Sequence, residues 1–259
     1  MLLRQERAVI LGWGLGLLAY AFLIGASYAF ISGSAADYEQ IWQSMPEGVR
    51  EAFGGDLDIG SVPGYYTSQL GSYLPVLLGL FLLATATKRL AGAEESGLLD
   101  HLLARPVSRV RHITTLALAL LATAGLVLTG LLVGTVTGFL MGGASAEELG
   151  RLVLAVADTV PAVLFFLGLG LLLGAAFHRR SPAFALGVGI ALGFYALEIV
   201  AKVVDELDWM SYATPSGYYS RSDLFDLQPD LLYWTLLPLA AAAMALVAVR
   251  QFDAKDLQA

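Results

Sequence analysis

The sequence predicts an all-α integral membrane protein with six transmembrane helices, and three observations support this fold class. Of the 259 residues, 57% are hydrophobic and only 14% are charged, whereas soluble domains contain about 25% charged residues. Six apolar stretches are long enough to cross a hydrocarbon core of about 30 Å as helices. Basic residues are concentrated in alternate connecting segments, which is typical of a chain that crosses a membrane several times.

The six predicted spans follow one another along the chain and form a single domain, residues 1–259. Their predicted limits are near Ala8–Ile31, Thr67–Thr87, Ile113–Met141, Leu149–Phe177, Ala183–Val204 and Leu231–Val249. Pro75, Pro161 and Pro238 fall inside three of these stretches. They predict local kinks, because proline cannot donate a backbone hydrogen bond to the helix.

The charge distribution predicts that both termini are cytoplasmic. With the N-terminus inside, the cytoplasmic segments contain 11 of the 15 basic residues, and the outer segments contain three. Acidic residues have the opposite bias, with 14 of 22 in the three outer segments. This is the asymmetry expected when positive loops stay on the cytoplasmic side. The net charge of −7 reflects the outer loops, so it does not indicate nucleic-acid binding.

Two outer segments, residues 32–66 and 205–230, are the longest connections on that side. The first contains the string SVPGYY, residues 61–66, which predicts a Pro-Gly turn before the second span. The second is rich in tyrosine and includes Trp209, which suits an aromatic belt at the membrane interface. Some 35 residues suffice for a small cap over the membrane but hardly for an independent domain.

The segment Gly92–His112, between the second and third spans, predicts a short amphipathic helix on the membrane surface. Its apolar residues fall within about 140° of a helical wheel. They are Leu98, Leu99, Leu102 and Leu103. Glu94 and Glu95 precede Ser96, the predicted N-cap, and Arg105 closes the last turn. So short a helix is marginal alone in water, and its leucine face must rest on lipid or on a partner protein.

The string EESGLLDHLLARPVSR, residues 94–109, resembles the first cytoplasmic loop of ABC-2 type transporter membrane subunits. In that family an acidic turn with serine and glycine, here Ser96 and Gly97, leads into a leucine-rich stretch and the PVSR motif. The six predicted spans extend the resemblance over the whole chain, and the tail Arg250–Leu257 is similar to the end of such subunits.

The resemblance implies the permease subunit of an ATP-driven exporter for an amphiphilic or hydrophobic substrate, such as a drug, an antibiotic or a lipid-like molecule. It implies three kinds of partner: a separate ABC ATPase subunit, a second copy of this chain and membrane lipid. ATP and magnesium would bind to the ATPase, and no cofactor is expected on this chain. The chain would be located in a prokaryotic inner or plasma membrane. The residues implied to couple to the ATPase are Glu94, Glu95, Ser96, Gly97, Leu98, Leu99, Leu102, Leu103 and Arg105.

Catalytic motifs are missing from the sequence, so the chain is predicted not to be an enzyme. A P-loop places its lysine after glycine, whereas the three lysines here follow threonine or alanine. The three histidines do not form the H-E-x-x-H pattern of zinc proteases, and no metal site is predicted. Since there is no cysteine, thiol chemistry is excluded. ATP-driven transport would therefore require a second polypeptide.

Three ionisable residues lie within predicted spans and are candidates for a transport path, because charge inside a bilayer is costly. Asp158 lies about two turns into the fourth span, while Glu198 and Lys202 are four residues apart near the outer end of the fifth. We favour a structural alternative. In it, Glu198 and Lys202 neutralise each other, and Asp158 binds a neighbouring hydroxyl such as that of Thr159.

Glycines repeat every four residues in three spans, a pattern that allows close helix crossing. The repeats are Gly130, Gly134 and Gly138, with shorter ones at Gly12 and Gly16 and at Gly189 and Gly193. Packing within one bundle and a homodimer seam are both compatible with the pattern.

The alternative functions are a secondary transporter or channel, and a membrane assembly factor without transport. A secondary transporter is expected to have broken helices and buried charges near the membrane midplane. The candidate charges here are predicted to lie toward one face, which argues against that function.

Overall fold

The computed structural model describes residues 7–34, 40–41, 43–44, 46, 58, 60–98, 108–215 and 230–254. Within these ranges every regular element is helical. Six helical stretches are long and apolar enough to cross a membrane. The prediction of an all-α fold with six spans is confirmed.

The described helices follow the predicted order of spans. They are α1 (Arg7–Gly33), α2 (Val62–Tyr66), α3 (Leu74–Arg89), α4 (Ala91–Glu95), α5 (Arg109–Met141), α6 (Ala146–Ala157), α7 (Val160–Ala176), α8 (Arg180–Val203) and α9 (Leu231–Ala254). A π-helical turn, Thr67–Gly71, lies between α2 and α3, and a 3₁₀ helix, Asp205–Ala213, follows α8. Helices α2 to α4 make up the second span and α6 with α7 the fourth, while α1, α5, α8 and α9 are the other spans.

The helix ends meet at two opposite faces of the bundle. The face where α1, α5 and α8 begin is called the basic face, because most of the lysines and arginines among the described residues flank it. There Arg109 of α5 donates a hydrogen bond to the backbone carbonyl of Asp253 in α9, at 3.2 Å. The other is called the acidic face, after Glu147 and Glu148 at the start of α6. Both ends of the described chain therefore lie at the basic face.

Helix α7 is the centre of the bundle and is buried along most of its length. It packs extensively on α3 and on α9. Two glycines permit this approach: Gly168 faces the backbone of Ala241 in α9, and Gly170 faces that of Leu83 in α3. A Cβ atom at Gly168 would lie 2.8 Å from Ala241 Cα, so a larger residue would push the helices apart.

Helices α1 and α5 share the most extensive helix contact in the described part of the chain. Gly130, Gly134 and Gly138 of α5 lie against backbone carbonyl oxygens of α1. A Cβ atom at any of the three would lie between 2.3 and 2.5 Å from the nearest oxygen. Within one chain these glycines are thus covered by α1, which is the close crossing that small residues allow.

The second span begins earlier than the predicted Thr67. Helix α2 starts at Val62, because Ser61 Oγ accepts the backbone N–H of Gly64 at 3.2 Å and caps the helix. Pro63 lies in the first turn, where its missing N–H would have no helical partner anyway. The expected Pro-Gly turn is therefore wrong, and this segment is the start of a helix.

The three span prolines have different effects. Helix α3 begins at Leu74 with Pro75 in its first turn, and α7 begins at Val160 with Pro161 in its first turn. At both positions proline starts a new helix and breaks the span, in keeping with its missing N–H. Pro238 lies inside α9, which stays continuous from Leu231 to Ala254.

Candidate functional site

The predicted coupling segment starts with α4, which is packed against the rest of the bundle at the basic face. Leu90, Ala91 and Ala93 are buried. Gly92 packs against the side chain of Arg180. A Cβ atom at Gly92 would lie 3.5 Å from Arg180 Cδ, which is ordinary van der Waals contact. The base of this segment is therefore fixed against the beginning of α8.

Both predicted coupling acids bind the segment that joins α7 to α8. Glu94 Oε1 lies 2.5 Å from Nδ1 of His178. The backbone N–H of Arg180 donates to Glu95 Oε2 at 3.0 Å. Since Arg180 is the first residue of α8, this carboxylate also suits the positive end of the helix dipole. The acidic turn thus ties the second span to the fifth.

Sequence reasoning assigned Glu94 and Glu95 to the ATPase contact and gave no role to His178 or Arg180. A signal was present, since an acidic pair and the run HRR, residues 178–180, occur in two segments predicted on the same side. Opposite charges in two loops do not say which side chains meet. The 84-residue separation of Glu94 and His178 places their contact beyond any local pattern.

Ser96 and Gly97 end α4 and redirect the chain. Ser96 is the C-cap of α4, and its backbone N–H donates to the carbonyl of Gly92 at 3.2 Å. Gly97 follows with φ +69°, a left-handed conformation that glycine adopts without steric cost. Ser96 therefore caps the end of one helix in place of the predicted start of another. Leu98 is helical again and is 47% exposed. The remaining predicted coupling residues, Leu99, Leu102, Leu103 and Arg105, lie outside the described residues.

At the acidic face, Asp158 is the C-cap of α6 at the break in the fourth span and is only 3% exposed. Trp234 Nε1 donates to Asp158 Oδ1 at 2.9 Å. The hydroxyl of Tyr233 donates to the Asp158 backbone carbonyl at 2.5 Å. Both donors belong to the first turn of α9. Asp158 therefore holds the junction of α6 and α7 against the sixth span.

The hydroxyl expected to bind Asp158 has another acceptor. Thr159 Oγ1 donates to the backbone carbonyl of Val156 at 2.7 Å. The indole of Trp234, 76 residues away, donates to Asp158 Oδ1. Thr159, the example given for a neighbouring hydroxyl, therefore uses its hydroxyl elsewhere, and the role of Asp158 stays a prediction.

The other two candidate path residues are carried by α8. Glu198 is buried at 7% exposure, and Lys202 follows one turn later in the same helix. The hydrogen bonds of Asp158 described above come from α9, so they link it to the sixth span and not to Glu198.

A small cavity lies close to both helix breaks. Ser72 and Pro75 line it from the second span, Ala162 and Phe166 from the fourth, and Phe194 from the fifth. Its volume is about 10 Å³, which is room for about one water molecule. The three spans are therefore packed together at this depth.

The two polar sites are suited to holding and moving helices. Each consists of a carboxylate that accepts hydrogen bonds from a different part of the fold, which positions one element on another. Among the described residues, no group of three or more histidine, aspartate or glutamate side chains could hold a metal ion.

The sequence comparison identifies the family. Residues 1–252 match the family described as "Multidrug efflux system permease Rv1217c, C-terminal domain", and the match includes residues of all six spans. No match was found among curated proteins. The predicted resemblance to an ABC-2 type permease subunit is confirmed, and the chain is the membrane subunit of a transporter. It belongs to the family of the C-terminal domain of the multidrug efflux system permease Rv1217c.

Proposed function

We propose that this chain is the membrane subunit of an ATP-driven ABC-2 type exporter that works with a separate ATPase subunit and a second copy of itself. The observation that carries the proposal is the match of residues 1–252 to a multidrug efflux permease family. The description of that permease supports an amphiphilic or hydrophobic substrate, drug-like or lipid-like, for this chain as well.

The basic face is assigned to the cytoplasm. Lysine and arginine flank spans on the cytoplasmic side of membranes. Residues of this kind at described helix ends support this orientation, namely Lys88, Arg89, Arg109, Arg179 and Arg180. A cytoplasmic basic face brings the loop that begins at Glu94 within reach of an ATP-hydrolysing partner.

The loop geometry supports a mechanical role. Leu98 is half exposed just after the turn at Gly97, so an apolar side chain is available to a partner. Glu94 and Glu95 hold the base of the loop on the segment before α8. A displacement imposed on Leu98 by an ATPase subunit would therefore act on the second and fifth spans together.

The energy source can be tested in cells that express the chain with a P-loop ATPase subunit that co-purifies with it. We expect efflux of ethidium, an amphiphilic cation, to accelerate at least severalfold over cells without the chain. This efflux should persist when an ionophore collapses the proton gradient. The matched control replaces the P-loop lysine of the ATPase with alanine, which removes the phosphate-binding cation.

Loss of efflux with the lysine variant supports ATP-driven transport. Efflux that survives in the lysine variant but stops with the ionophore contradicts the proposal and indicates a secondary transporter. Absence of efflux for ethidium and for a panel of neutral and anionic amphiphiles, with the complex intact, would remove the exporter assignment.

A further inference from the structure

A groove opens between α1 and α3 at the basic face. Val9 of α1 and Leu77 of α3 line it and are 47% and 41% exposed, so it faces outward from the bundle. Its volume is about 360 Å³, within the range of about 300–1,000 Å³ typical of ligand pockets. Because α1 packs along α5, the fold leaves this gap beside α3.

The walls of the groove are apolar. Leu80, Phe81 and Ala84 line it from α3, and the Trp13 ring of α1 lies on Phe81 with ring centroids 4.5 Å apart. Thr85 also lines the groove, but its hydroxyl donates to the Phe81 carbonyl at 2.8 Å within the same helix. A hydrocarbon chain would pack against apolar side chains along these walls.

The end of the groove at the basic face is cationic. Lys88, in the last turn of α3, and Arg180, at the start of α8, are both exposed and both line the groove. The groove thus joins an apolar trough to two positive side chains.

The length of the groove corresponds to one lipid leaflet. Along α3, the chain rises about 16.5 Å over the steps from Leu77 to Lys88, at about 1.5 Å per residue. Half of a hydrocarbon core of about 30 Å is about 15 Å. With Lys88 at the headgroup level, Leu77 lies close to the middle of the bilayer.

We propose that this groove binds one acyl chain of a phospholipid whose anionic headgroup lies between Lys88 and Arg180. The apolar length requires a long hydrocarbon chain, and the two cations favour a net negative headgroup over a zwitterionic one. The bound lipid fills the gap between α1 and α3 and so links the first span to the second. This inference does not depend on the ATPase partner.

The test uses the full chain in nanodiscs of phosphatidylcholine with increasing fractions of phosphatidylglycerol brominated on its acyl chains. Bromine quenches tryptophan fluorescence on contact, and the Trp13 signal is the difference from a Trp13→Phe variant. We expect half-maximal quenching of Trp13 at a roughly tenfold lower phosphatidylglycerol fraction than in the Lys88→Gln/Arg180→Gln variant, given the attraction of each basic residue to anionic lipid.

The matched control is Arg179→Gln/Arg250→Gln, which removes the same charge from the same face, at residues that do not line the groove. This control should keep the wild-type curve. As a second variant, Ala84→Phe fills the trough and should abolish preferential quenching without a change in charge.

Three outcomes would overturn the proposal. Brominated phosphatidylcholine could quench Trp13 of the wild type as effectively as brominated phosphatidylglycerol. The control could lose the preference as far as the groove variant does. Finally, Trp13 could resist quenching by every lipid, in which case the first six residues or a second copy of the chain covers the groove.

Discussion

The polar contacts at the two faces of the bundle are built in different ways. At the acidic face, Asp158 is 3% exposed and accepts a hydrogen bond from the Trp234 indole. At the basic face, Glu94 contacts His178, and the exposed fractions of the two side chains are 11% and 47%. A hydrogen bond buried on both sides is costly to break, because the groups left behind lack water, whereas water can replace a partner at a contact with one exposed side.

This difference separates a fixed end of the bundle from an adjustable one. The buried contacts of Asp158 hold the fourth span on the sixth, and close glycine packing holds the first span on the third. The partly exposed contacts of Glu94 and Glu95 hold a loop that ends in an exposed Leu98. Under the proposed function, force from an ATPase enters at the adjustable end and is resisted at the fixed end.

The largest effect is expected from breaking the fixed end. Asp158→Leu removes the acceptor of the Trp234 N–H and should lower the free energy of unfolding by about 1–3 kcal/mol. Adding Trp234→Phe to this variant removes the orphaned donor, so the double variant should recover part of the loss. Thermal unfolding in detergent, followed by the fraction of monodisperse protein, measures both changes.

Asp158→Asn is the control for this prediction, because its amide oxygen still accepts from Trp234. It should unfold within a few degrees of the wild type and retain transport. A folded Asp158→Asn variant that is dead in transport would contradict the fixed-end role and place Asp158 on the transport path.

A smaller effect on stability is expected at the adjustable end. Glu94→Gln and His178→Gln should each cost at most about 1 kcal/mol of stability, and the double variant should lose no more than either single one. Substrate-stimulated ATP hydrolysis should nevertheless fall severalfold, because the loop loses one of its two contacts with residues 178–180, which lead into the fifth span. Both quantities can be measured on the same purified complex.

The matched control for this pair is Glu147→Gln at the acidic face. Glu147 forms an exposed salt bridge with Arg151 at 2.7 Å, so the substitution removes one carboxylate contact from the opposite side of the membrane. Stimulated hydrolysis should stay at the wild-type level. An equal fall in the Glu147 and Glu94 variants would erase the distinction between the two faces.

Much of the fold could be predicted from the sequence, because spans are set by the length and hydropathy of local stretches. The positions at which helices begin were harder to predict, because capping residues decide them. Ser61 and Pro63 start α2 five residues before the predicted span. The glycine repeats illustrate the limit. Gly130 and Gly134 of α5 pack against the backbone of α1, whereas a Cβ atom at Gly189 would meet nothing within 4 Å. The spacing indicates that a close crossing is possible, but the partner is set by tertiary packing.

The contacts of the candidate sites could not be predicted from local patterns. The sequence indicated Asp158 as a buried acid and Glu94 as part of a functional loop, but their partners, Trp234 and His178, are 76 and 84 residues away. A hydropathy pattern places a residue at a depth and a face, and it does not say which neighbour completes its hydrogen bond.

Under the proposed function, the loop after the second span is the contact through which an ATPase drives transport. Replacing both Leu98 and Leu102 with aspartate removes two apolar contacts, each worth roughly 1.5–3 kcal/mol when fully buried. It also places two charges against an apolar surface. The control is Ala104→Asp, which adds a charge to the predicted opposite side of the same helix.

The decisive measurement is the affinity of the purified membrane subunit for its ATPase, together with substrate-stimulated ATP hydrolysis by the complex. We expect Leu98→Asp/Leu102→Asp to weaken binding more than tenfold and to lower stimulation, while Ala104→Asp and the wild type bind alike. Wild-type affinity and stimulation in the double leucine variant would contradict the coupling role, because the loop would then rest on lipid alone.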